Sequence, residues 1–165
     1  MFGRKPNVEA HVEYILKKAS GKLWILRHNK KAGMSKEDML FIFNTTIRPS
    51  LEFAAPTFHS MLTAEQRDRL ERVQKRACKL IFGWDTNYDT LVANERIETL
   101  DSRRERLTIN FAKKTVKNER FADWFEENEP ERTLRRTKKY KESYARTDRL
   151  RNSPLYYMRR KLNAE

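Results

Sequence analysis

Cysteine, glycine and proline are scarce in this chain, with one Cys, 4 Gly and 5 Pro in 165 residues. A lone cysteine, Cys78, excludes an internal disulfide and suits a reducing compartment, so nucleus or cytoplasm is expected rather than secretion. No apolar run approaches the ~18 residues of a membrane span. The opening Met1-Phe-Gly-Arg-Lys-Pro6 lacks the apolar core of a signal peptide. With so few breakers, and with Lys, Arg, Glu and Leu abundant, the composition reads as helix rather than sheet.

Catalytic constellations are missing as well. A nucleotidyl-transfer centre gathers carboxylates around two metal ions, and the chain has no Asp-Asp pair. Zinc needs grouped Cys and His, whereas His11, His28 and His59 are scattered. His11 and Glu13, two residues apart, would point about 200° apart on a helix and could not share a metal. Cys78 has no partnered base nearby, and there is no Gly-rich phosphate loop. No catalytic residue, metal, cofactor or small-molecule substrate is therefore expected.

What is present is positive charge. Lys and Arg number 36 against 23 Asp and Glu, a formal net charge of +13. Such a surface favours a polyanion, RNA or DNA before an anionic membrane.

The apolar pattern is helical. Val8, Val12, Ile15, Leu16, Ala19, Leu23 and Leu26 recur by threes and fours on one face of a long helix, with Gly33 as its stop. Ser35 and Asp38 open a second helix through Met39, Leu40, Ile42, Phe43 and Ile47, which Pro49 is expected to kink or break. A short apolar helix carrying Leu51, Phe53, Ala54, Ala55 and Phe58 follows. Thr63 and Gln66 form a capping box before a helix bearing Leu70, Val73, Ala77, Leu80 and Ile81 and ending at Gly83. A short helix is expected around Thr90 to Asn94. Another starts at Thr99, with Leu100, Leu107, Phe111, Ala112 and Val116 as its apolar side. The expected fold is all-α, a small helical bundle over residues 8–118. Residues 119–165 read as a basic, poorly packed, partly disordered tail with an apolar island from Pro154.

Three groups of residues are candidates for binding. A 100° step per residue puts Arg69, Arg72, Lys75, Arg76 and Lys79 on one stripe away from the apolar side. Such a stripe can track a phosphate backbone, although Glu65 and Asp68 soften it. Lys17, Trp24, His28 and Lys31 fall opposite the apolar stripe of the first helix. There Trp24 could stack on a base, but packing on an absent neighbouring domain suits such a tryptophan better. In the tail, Arg132, Arg135, Arg136, Lys138, Lys139, Lys141, Arg146, Arg149 and Arg151 are interleaved with Tyr140 and Tyr144, a pattern suited to sequence-tolerant RNA or single-strand binding. Each group also has a plainer reading as a solvated surface.

The strings His11-Val-Glu-Tyr-Ile-Leu-Lys-Lys-Ala19, Gly33-Met-Ser-Lys36 and Ile47-Arg-Pro-Ser-Leu-Glu-Phe53-Ala-Ala-Pro56 come first in a longer set. Leu70-Glu-Arg-Val-Gln-Lys-Arg-Ala77-Cys-Lys-Leu-Ile-Phe-Gly83 and Ser153-Pro-Leu-Tyr-Tyr-Met-Arg-Arg160 complete it. In order and spacing they resemble the thumb and post-thumb region of non-LTR (LINE-like) retrotransposon reverse transcriptases, RNA-directed DNA polymerases. A related stretch carries a label borrowed from the N-terminal domain of an alkylated-DNA-repair homologue, without that family's metal triad. The resemblance places the fingers and palm, with their Phe/Tyr-x-Asp-Asp motif, before His11, where this chain has ten residues. It implies a non-catalytic grip on the primer-template duplex through its phosphates, with an absent palm and fingers domain as a second partner. Two rival expectations stand beside it. One is a protein-interaction module with an exposed apolar patch around Trp24, Phe53 and Phe58. The other is a decayed retroelement reading frame.

Overall fold

In a computed structural model, residues 8–94, 97–128, 138–142 and 144–164 are described. Arg132, Arg135 and Arg136, three of the candidate phosphate ligands, lie outside the described residues. Among those described the chain is all-α as expected, with no strand and one isolated antiparallel bridge, Glu127 to Tyr140. No described helix is long and apolar enough to cross a membrane. Contacts divide the chain into two units. One draws on Met1–Phe53 and Leu62–Arg103, the other on Ala54–Met61 and Arg104–Glu165, so the division does not fall at residue 118.

The first unit is built on α1 (Val8–Lys31), α2 (Lys36–Ile42), α3 (Arg48–Glu52) and α5 (Ala64–Phe82). On α1 the expected stripe is buried at Val12, Ile15, Ala19, Leu23 and Leu26. It packs along α5, which turns in Leu70, Val73, Ala77, Leu80 and Ile81. Gly33, at φ +79°, closes α1. Its N–H bonds the Lys30 carbonyl and the Met34 N–H bonds the Asn29 carbonyl, the paired bonds of a Schellman stop. Ser35 caps α2 by accepting from the Asp38 N–H.

Pro49 follows an interruption of the regular α-helix that does not end the helical run. Phe43–Ile47 forms a π-turn, with the Arg48 N–H bonding the Phe43 carbonyl, and α3 starts with the proline in its first turn. The wide turn absorbs the donor that proline lacks and keeps its ring off the preceding carbonyls. Lys22 donates to the Thr46 carbonyl and to Ser50 Oγ at 2.9 Å each, holding the rearranged segment. The helical run stops later, at Phe53 and Ala54, the latter a non-glycine residue at φ 59°.

Beyond α5, Asn87 caps α6 (Tyr88–Ala93), and Cys78, Leu91 and Ile97 form a side cluster with Leu40, Phe82 and Tyr88. Helix α7 (Leu100–Val116) follows.

The second unit contains α4 (Ala55–Phe58), α8 (Asp148–Arg151) and α9 (Pro154–Ala164), with a 3-10 segment at Glu119–Phe125. Packing continues past residue 118, since Ala112, Phe125, Tyr140 and Met158 form a cluster joined by Val116, Leu155 and Leu162. Phe58 is buried, so it contributes nothing to an exposed patch. On α7 the buried side is Leu100, Arg104, Thr108, Ala112 and Thr115, while Phe111 is 43% exposed, contrary to its expected place in the core. The hydroxyls of Thr108 and Thr115 bond carbonyls one turn back, which lets them face inward.

Candidate nucleic-acid interface

The strongest charge feature lies on α5. Thr63 Oγ1 accepts from the Gln66 N–H while Gln66 Oε1 accepts from the Thr63 N–H, so the capping box is complete at both bonds. Gly83, at φ +124°, ends the helix, and its N–H bonds the Lys79 carbonyl. Nineteen residues are thus held as one continuous helix that presents side chains.

Arg72, Lys75, Arg76 and Lys79 are exposed on α5, as the periodicity requires. Arg72, Arg76 and Lys79 have no carboxylate within ion-pair distance among the described residues. At 1.5 Å per residue the three span about 10 Å, a reach of about three phosphates along one strand. Lys75 Nζ lies 5.2 Å from the centre of the Tyr88 ring.

Arg69 differs from the rest of the stripe. It pairs with Glu9 at 2.6 Å and with Glu13, both on α1. Those two bonds, Glu13's first, raise the guanidinium's pKa, and bonds from Gln66 and then Arg69 hold Glu9 below the usual carboxylate range. Its charge is neutralised locally, so Arg69 acts as a strut between α1 and α5 rather than as a free phosphate ligand. Glu9 and Glu13 lie some 60 residues away in sequence, and no local pattern announces that pairing.

Behind the stripe, Glu71 collects hydrogen bonds. Its Oε2 accepts from the Leu100 N–H at 3.1 Å, capping the start of α7, and it also accepts from the Tyr88 hydroxyl. Gln74 donates to the Tyr88 hydroxyl at 2.8 Å and to the Glu98 carbonyl at 2.9 Å. Burial and the bond to Glu71 push the Tyr88 phenol upward. Burial, helped by the Glu71 charge, pushes the Cys78 thiol up to about 12. That thiol is buried and inert.

The other candidates are placed as follows. Lys17, Trp24, His28 and Lys31 are all exposed on α1, and Trp24 meets His28 edge to face at 6.2 Å. Tyr140 is buried against Phe125, ring centres 5.9 Å apart, and is not free to stack on a base. Its backbone is clamped by Asn163, which accepts from the Tyr140 N–H and donates to its carbonyl. Tyr144 is 87% exposed. Lys138 pairs with Glu142 at 2.6 Å, and Lys139 lies 3.8 Å from Glu127 and above the Tyr140 ring. Among the described residues no three His, Cys, Asp or Glu side chains converge as a metal-holding group. No protein family, no curated protein and no solved structure matches this chain.

Proposed function

We propose that this chain is a non-catalytic, nucleic-acid-gripping part of a non-LTR retrotransposon reverse transcriptase, laying α5 along the primer-template duplex as a thumb does. The observation that carries this reading is the contrast within one stripe. Arg69 is consumed by two carboxylates, while Arg72, Arg76 and Lys79 project from the same rigid helix with their charge uncompensated. Cations on a helix at this spacing contact phosphates without reading bases, so affinity falls with salt and depends little on sequence. The polymerase chemistry belongs to a palm outside these 165 residues, and the setting is the nucleus or cytoplasm, where RNA and DNA reside.

The test is fluorescence anisotropy of labelled DNA duplex and RNA–DNA hybrid against salt. Three phosphate contacts give a slope of about −2.7 on duplex DNA. Reversing Arg72, Lys75, Arg76 and Lys79 to Glu abolishes most of that slope while circular dichroism stays helical. Unchanged binding by that variant removes α5 as the grip.

A second reading, a protein-interaction surface, draws on exposed aromatics in the first unit. Trp24, Phe41, Phe53 and Trp84 are each more than 60% exposed. Exposed aromatics mark contact surfaces when they gather into one patch. Concentration-dependent self-association that a Trp24→Ser change relieves favours this reading over the duplex grip.

A further inference from the structure

A cleft of about 450 Å³ opens in the second unit, lined by Lys138, Glu142, Tyr144, Arg151, Tyr156 and Arg160. Its size falls in the range of sites that hold a small organic ligand. The lining combines three cations with two phenol rings and a single carboxylate. That carboxylate is already occupied, because Glu142 accepts from Lys138 at 2.6 Å and from Asn163 at 2.8 Å. Burial works to raise its pKa, but these two bonds outweigh burial and hold it below the usual carboxylate range. Arg151 is turned partly toward Asp148, at 3.2 Å. Arg160 has no carboxylate within ion-pair distance among the described residues. Tyr144 is 87% exposed, with nothing described covering its ring.

We infer that this cleft takes one unpaired nucleotide, its base on the Tyr144 ring and its phosphate on the Arg160 guanidinium. The chemistry required is a planar aromatic group joined to an anion. A planar ring and a phosphate-matching fork supply both halves of that recognition. Stacking hides the faces of bases inside a duplex and pairing their edges, so the ligand is a nucleotide outside a helix. Neither Tyr144 nor Arg160 belongs to α5, and the inference does not rest on the duplex grip.

The ligand comes either from a single strand or from the free nucleotide pool. The experiment titrates the full chain with labelled oligo(dT) of about twelve residues, then competes with 5′-AMP and with inorganic phosphate. The expected result is binding that Tyr144→Ala weakens by about 5- to 150-fold, the size of one base–aromatic stack. Tyr144→Phe restores it. Arg160→Ala lowers the salt slope by about 0.7. Reversal of the α5 cations leaves the Tyr144 effect intact, which separates failure here from failure of the duplex reading. Competition by 5′-AMP at matched nucleotide concentration assigns the cleft to free nucleotides, and resistance to it assigns a strand. The inference is overturned by equal affinity of wild type and Tyr144→Ala, by inorganic phosphate displacing the oligonucleotide at the concentration at which 5′-AMP does, or by no binding of either probe.

Discussion

Arg69 and Arg76 lie two turns apart on α5, and their surroundings assign them different work. Replacing Arg69 with alanine should lower the melting temperature, because it frees Glu9 and Glu13 on α1, and should leave duplex affinity nearly unchanged. Replacing Arg76 should do the reverse, cutting the salt slope by about 0.9 with little change in melting. Thermal denaturation and anisotropy on both variants check the pair. Glu105 offers a pH test. Its bond from Lys161, supported by one from Tyr157 at 3.0 Å, holds the carboxyl below its ordinary 4.5, against the opposing effect of burial. A carboxyl held low in the folded state stabilises fully above the unfolded value and loses that contribution as pH falls through the folded one. Urea midpoints of wild type and Glu105→Gln should therefore be furthest apart at neutral pH and converge below about pH 4.5.

At the scale of elements, caps and stripes set the boundaries. Thr63→Ala removes one side of the α5 capping box and should cost about 1 kcal/mol. Leu70→Ala, at a fully buried position of α5, should cost about 2–5 kcal/mol. Denaturant unfolding measures both. These elements were legible in the sequence because their signals are local: Gly33, Ser35, Thr63, Gln66 and Gly83 all stand where the caps require. Helix α7 was harder to read. Its inward side carries Arg104, Thr108 and Thr115, so the polar residues that ordinarily mark the wet face mark the dry one, and Phe111 points outward. Pro49 announced an interruption of the helix but not its form, for a related reason. A neighbouring π-turn and a lysine from α1 accommodate it, and neither has a signature near the proline. Which cations are free was equally hidden, because the carboxylates that quench Arg69 come from another helix.

For the whole molecule, the net charge of +13 is not spread as uniform solvent dressing. Part of it is spent internally, as at Arg69 and at the Glu126–Lys141 and Glu127–Lys139 contacts beside the Tyr140 bridge. Part remains open on α5 and in the cleft near Tyr144. Cys78 gives a handle on this larger scale. It is the chain's sole sulfhydryl, buried on α5 on the side away from the open cations. A disulfide dye can reach it only when the surrounding core transiently opens, so the colour-release rate reads the open fraction directly. A duplex clasped on the outer face of the same helix should slow that release without touching the sulfur, which makes an unmodified chain its own clock for occupancy of α5.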